Sequence, residues 1–246
     1  MTEGDADTAE YLFDGDHLRM SWFDAGRTFL LVTFDHWQPD RSDFGSFERS
    51  QFWTRQGVSQ LRIGTRHNDW FLNPETAEIE SLLAEFRQRF ERVHALAFSM
   101  GGFGALRLSK ALNANRMLLF SPQASVWSED VQDSFWCRAY KGTLGRSTGL
   151  HESPVKRGQS GTLVFDPDNR DDTRHANLCA TLFPKLELCP ISGSGHSFSR
   201  LLSVKGSFAA VQKASLKLGR CGDFLRSRCK VLQPDVTVSA ERPPGS

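Results

Sequence analysis

Short apolar runs alternate with amphipathic stretches along most of the chain. Residues 17–23 and 28–34 read as strands, joined by the tight-turn signal Asp24-Ala25-Gly26. The second run is apolar almost throughout, the pattern of a strand covered on both faces. Residues 59–63 read as another strand, followed by the polar His67-Asn68-Asp69-Trp70. Ile79, Leu82, Leu83, Phe86, Phe90 and Val93 then fall at helical spacing, with Pro74 and Glu75 placed for a helix start. An apolar run over 94–98 breaks at Ser99, and 101–112 has a helical pattern. Residues 116–120 form a strand stopped by Ser121-Pro122. The stretch 126–159 has no regular period and is rich in aromatic and charged residues, which suits a cap or long excursion. After it come a strand at 162–165, a helix at 175–182, a strand at 186–191 and helical character from Phe198 onward. This β-α-β-α order predicts an α/β fold, a mostly parallel sheet flanked by helices, with ligands gathering at the carboxyl ends of the strands.

Composition narrows this picture without redirecting it. A length of 246 residues suits one α/β domain, placed at 11–230 with 126–159 as its excursion. Residues 1–10 are polar and acidic and read as disordered; 231–246, with Pro234, Pro243 and Pro244, reads as a flexible tail. Thirty basic against 29 acidic residues leave a net charge of +1, which argues against a general nucleic-acid binder. The run 29–34 is far too short to span a bilayer. Six acidic residues precede the first basic one, Arg19, the opposite of what a secretory signal needs. Five cysteines, an odd number with no C-x-x-C spacing, build neither a disulfide framework nor a zinc clamp and fit a reducing cytoplasm.

The strongest chemical signal is Leu96-Ala97-Phe98-Ser99-Met100-Gly101-Gly102-Phe103-Gly104-Ala105-Leu106. An apolar strand ends at a serine among small residues, and a helix begins at once. A serine on so sharp a turn is forced outward above the sheet. Its neighbours must be small because strand and helix backbones pass close there. The helix N-terminus beneath favours developing negative charge. A second signal lies at 186–191, where a strand runs into Ser192-Gly193-Ser194-Gly195-His196-Ser197-Phe198. The small residues let that loop fold back so that an imidazole can reach the serine.

These segments resemble the α/β-hydrolase superfamily. Ser99-Met100-Gly101-Gly102-Phe103-Gly104-Ala105-Leu106 is similar to its esterase elbows, with Ala97 where the family pattern G-x-S-x-G has its first glycine. His196 resembles the family's G-H segment. The resemblance implies a serine nucleophile, a histidine base and an acid between them in the chain, in the loop after 162–165. That loop offers Asp166, Asp168, Asp171 and Asp172. Asp172 leads and Asp168 follows, because Asp172 with His175 resembles a D-x-x-H pattern in little-characterised bacterial hydrolase-like proteins. That narrower likeness takes in Asn68-Asp69-Trp70-Phe71 and Phe120-Ser121-Pro122-Gln123-Ala124 and spans about 17–205; some of its members lack the elbow serine. For the oxyanion hole the superfamily implies the Met100 N–H and one from the loop after 28–34. Asp35 is the candidate there, since the family's glycine-rich version of that loop is absent.

The implied activity is a serine hydrolase cleaving an ester or thioester of a small-molecule acyl substrate through an acyl-enzyme, with no cofactor. The alternative is a hydrolase-fold binding or assembly protein without turnover. Other motifs weaken on inspection. Asp166, Asp168, Arg170 and Asp172 alternate like a calcium loop, but Arg170 holds a ligand position and Asn177 stands where a bidentate glutamate belongs. The seven histidines contain no H-E-x-x-H, which disfavours a metal centre. Residues 205–230 carry seven basic residues against Asp223 alone, by default a solvated helix face, otherwise a contact for an anionic partner. Trp127, Phe135, Trp136 and Tyr140 lie in the excursion, where they would either line an apolar acyl pocket or pack locally.

Overall fold

The apolar runs become the strands of one eight-stranded sheet in the computed structural model, which describes residues 9–132, 134–196, 198, 206–217 and 219–228. The strands are β1 (Glu10–Asp14), β2 (Leu18–Phe23), β3 (Phe29–Phe34), β4 (Ser59–Thr65), β5 (Arg92–Phe98), β6 (Arg116–Phe120), β7 (Gly161–Phe165) and β8 (Leu186–Pro190). Their spatial order is β1-β2-β4-β3-β5-β6-β7-β8. The first two pairings, β1 with β2 and β2 with β4, are antiparallel; all others are parallel. Among the described residues the α-helices are α1 (Gln51–Arg55), α2 (Thr76–Phe86), α3 (Met100–Arg107), α4 (Ser109–Leu112), α5 (Phe135–Ala139), α6 (Arg170–Leu182), α7 (Ser207–Ser215) and α8 (Gly222–Arg228).

Both faces of the sheet are covered, which explains why its central strands read as continuous apolar runs rather than alternating ones. Val93, Ala95 and Ala97 of β5, with Met117 and Leu119 of β6, pack beneath α2, α3 and α6. Leu96, Leu118, Phe120 and Val164 face the other way, onto Ala210, Val211 and Ala214 of α7 and Leu225 of α8. The register aligns Phe98 with Phe120 and Phe165 with Pro190. The residues just beyond β5 to β8 therefore emerge side by side along one edge, where ligands collect in such sheets.

The structure departs from the sequence reading in four places. Residues 17–23 and 28–34 do form strands around a turn closed by the Gly26 N–H on Asp24 Oδ1 (2.8 Å), but they are not neighbours; β4 lies between them and pairs with both. Glu10, placed in the disordered segment, instead starts edge strand β1, and its carboxylate accepts the Trp22 indole N–H. The helix expected from 175 begins at Arg170, because Asn169 caps it by accepting the N–H groups of Asp171 and Asp172. Phe198 is buried outside any helix, while 199–205, where the expected helix would continue, lie outside the described residues; α7 begins at Ser207.

Residues 1–8, the tail 231–246 and both Lys205 and Lys230 of the basic segment lie outside the described residues. Within 126–159 the regular elements are α5 and a single 3₁₀ turn, while Val126, Val131, Trp136 and Leu150 are buried. Among the described residues no helix is long and apolar enough to cross a membrane.

Candidate active site

Ser99 sits between β5 and α3 with φ 51° and ψ −123°. A positive φ at a residue with a Cβ is uncommon and costs on the order of 1–3 kcal/mol. It is sustained by close packing on every side of the elbow. A Cβ on Gly101 would fall 2.8 Å from Asp35 O, one on Gly102 2.5 Å from Pro122 Cβ, and one on Gly104 2.4 Å from the Phe71 ring. Each glycine thus answers to a different neighbour: the end of β3, the turn after β6, and the loop after β4. Ala97, at the first small position of the motif, is fully buried opposite Leu119 without strain on the pattern.

His196 reaches Ser99 from the loop after β8. Gly193 and Gly195 adopt φ of 72° and 68°, conformations in which a side chain would be strained. Their N–H groups both donate to the Asp166 carboxylate, at 3.3 and 2.6 Å, and Ser194 Oγ closes on Ile191 O. Asp166 therefore ties the loop to the end of β7. The loop delivers His196 Nε2 to 2.9 Å from Ser99 Oγ, and Nδ1 to 2.5 Å from Asp172 Oδ1. Asp172 lies in the first turn of α6, 2 % exposed, and its other oxygen accepts the Ser121 hydroxyl. Of the four aspartates offered by this segment, Asp172 faces His196. Asp168 is exposed, and Asp171 accepts from Ser134 Oγ at 3.1 Å. The Trp136 ring stands 4.5 Å from the His196 ring, centroid to centroid.

No protein-family model and no curated protein matches the sequence. Solved structures do match the fold. A lidless α/β serine hydrolase of Xanthomonas campestris superposes with a TM-score of 0.51 at 16% identity, over 85% of this chain and 93% of that one. A bacterial heroin esterase gives 0.53 at 14% identity, over 87% and 84%. The capsule O-acetyltransferase of Neisseria meningitidis serogroup A gives 0.51 at 13%, over 74% and 85%. The chain has the α/β-hydrolase fold.

One expectation for a hydrolase-fold site fails. The Asp35 N–H donates to Ile63 O at 3.2 Å, because the β3 ladder runs one residue past the strand, so it is not available to an oxyanion. Its carboxylate is anchored instead, accepting from Arg41 at 2.8 Å, from Arg62 at 2.6 Å and from the Thr65 N–H. The Met100 N–H opens α3 and has no partner among the described residues.

Three further side chains of this hydrolase-fold site lie in segments quoted for the narrower resemblance, which gave them no role. Ser121 and Gln123, on the turn after β6, contact Asp172 and Ser99, where the adjacency of β5 and β6 brings them. His175, one turn along α6 from Asp172, accepts the Ala124 N–H on Nδ1 at 3.0 Å. That acceptance leaves the ring proton on Nε2, which faces Ser134 Oγ. Burial holds the His175 pKa down to about 4, so it is neutral and fastens the β6 turn to α6. A cavity of about 680 Å³ opens beside Trp37, His67, Phe135, Arg138 and Lys141. Trp37 lies edge-on to Trp136, which separates the cavity from His196. The described residues contain no group of three or more His, Cys, Asp or Glu suited to a metal.

Proposed function

We propose that the chain is a serine hydrolase that cleaves an ester or thioester through Ser99, His196 and Asp172. The observation that carries this reading is the continuous line from Ser99 Oγ through the imidazole to a buried carboxylate, with the serine held at positive φ. A binding protein on this fold would need neither the line nor the strain.

Asp172 accepts the Nδ1–H of His196 and so fixes the tautomer whose Nε2 lone pair meets the Ser99 hydroxyl. Ser99 Oγ forms a bond to the acyl carbon as its proton passes to Nε2, and Asp172 stabilises the resulting imidazolium. The tetrahedral oxyanion takes the Met100 N–H. We assign the second donor to His36, whose N–H is the next along the loop from Asp35 and has no partner among the described residues. Collapse breaks the bond to the leaving oxygen or sulfur, which takes the proton from His196. Water then attacks the acyl-enzyme, gives a proton to Nε2, and the acid departs as Ser99 regains its hydrogen.

Similarity to both esterases and an O-acetyltransferase leaves the acceptor open to a second reading, acyl transfer to a hydroxyl, which uses the same groups.

Turnover of p-nitrophenyl esters of increasing chain length, with and without an alcohol acceptor, tests the proposal. Wild type should hydrolyse short members, Ser99→Ala should not, and Asp172→Asn should lose about 10⁴-fold in kcat through the wrong tautomer. Equal rates in wild type and Ser99→Ala would overturn it.

A further inference from the structure

The turn after β6 presents a fully buried polar side chain for which the Ser-His-Asp line has no need. Gln123 places Nε2 3.0 Å from Ser99 Oγ, 3.4 Å from His196 Nε2 and 3.4 Å from Ser121 O. Its Oε1 accepts the Trp70 indole N–H at 3.2 Å. An indole nitrogen only donates, so it faces the carbonyl end of the amide and turns the NH₂ end toward Ser99.

Trp70 is in turn held with unusual care. It and Phe71 are both fully buried and both at positive φ, 53° and 58°, a conformation bulky side chains rarely adopt. The Asp69 carboxylate pins this backbone, accepting the Phe71 N–H at 2.9 Å, Thr65 Oγ1 at 2.8 Å and Asn73 Nδ2 at 2.8 Å. Strain retained in this way gathers where geometry serves function. Here it directs one indole N–H at one amide.

We propose that Gln123 is a catalytic residue, the donor that aligns the Ser99 proton and stabilises charge on Oγ. The proposal rests on the serine-hydrolase reading. An oxygen that accepts from Gln123 must aim its own hydrogen elsewhere, and the His196 Nε2 lone pair is 2.9 Å away. As the proton crosses to Nε2, Oγ gains negative charge, and a hydrogen bond to a charged acceptor is about twice as strong as a neutral one. When the acyl–Oγ bond breaks during deacylation the same charge returns to Oγ, so the donor serves both halves of the cycle. The elbow and the oxyanion N–H groups act on the carbonyl oxygen; Gln123 acts on the nucleophile.

The rate at which a fluorophosphonate modifies Ser99, measured across pH, reads this step directly, since Oγ attacks phosphorus and expels fluoride without a deacylation step. Gln123→Met fills the same volume without a donor. Gln123→Glu keeps an oxygen for Trp70 but replaces the NH₂ with an acceptor. Both should slow modification by about 10- to 100-fold, the range for losing a donor to a developing charge. Gln123→Asn, which keeps an NH₂ group on a shorter side chain, should retain more of the rate than Gln123→Met; a packing role, served by volume alone, predicts the reverse order. If the methionine variant fails to fold, the glutamate variant decides. Rates within about twofold of wild type in both the methionine and glutamate variants overturn the proposal alone. Wild type that is not modified at Ser99 overturns the hydrolase reading and this proposal together.

Discussion

His175→Asn should flatten part of the pH dependence of folding, by an amount that follows from burial. In the folded chain His175 is held near pKa about 4, against an ordinary 6.5 once unfolded, chiefly by loss of water around the ring. The folded pKa is the lower one, so the unfolded chain binds the proton more readily. The stability associated with the neutral ring is complete above pH 6.5 and is lost as pH falls toward 4. A difference of two and a half pKa units corresponds to about 3 kcal/mol in full, of which about 2 kcal/mol is gone by roughly pH 5. Asparagine puts an amide oxygen where Nδ1 accepts the Ala124 N–H but carries no titrating group. Urea unfolding of wild type and variant at a series of pH values isolates this contribution, because other titrations cancel in the difference. The advantage of wild type should be greatest near neutrality and shrink by about 2 kcal/mol down to roughly pH 5. A constant difference across that range would refute a buried, neutral His175.

Other substitutions probe the parts that hold the site. Gly102→Ala drives a methyl group into the Pro122 ring and backbone, where the approach would be 2.5 Å; it should cost about 1–3 kcal/mol in urea unfolding and reduce ester turnover by shifting the β6 turn. Asp166→Asn removes one of the acceptors for the Gly193 and Gly195 N–H groups; kcat should fall about tenfold or more with KM little changed, since the loop carries His196 and not the substrate. Trp136→Ala empties a buried site beside His196 and should destabilise by about 3–5 kcal/mol in the same unfolding assay.

Local pattern made the strand edges and two of the three aligned residues legible. Ser99 follows an apolar run directly and His196 follows one across four small residues, so sequence order carries the chemistry. The acid was harder, with four carboxylates between Asp166 and Asp172. The polar first turn of α6 conceals the helix start, and only the helix direction separates Asp172, facing His196, from Asp171, facing Ser134. The oxyanion loop misled for a different reason: whether a backbone N–H is spent depends on how far a ladder extends, and β3 extends one bond too far for Asp35. The separation of β2 from β3 by β4 is likewise a long-range pairing that a turn signal cannot encode. Gln123 and Trp70 meet across 53 positions of sequence and give no local sign of it.

The central claim is that the hydroxyl at Ser99 attacks an acyl carbon under the control of His196. Incubation of the full chain with p-nitrophenyl acetate, quenching in acid and peptide mapping by mass spectrometry measures this most directly. A single acetyl group on the peptide containing Ser99 is expected in wild type, lost in Ser99→Ala and sharply reduced in His196→Ala. A folded wild-type protein that acquires no acetyl group, or acquires it on another residue with Ser99 untouched, would contradict the account.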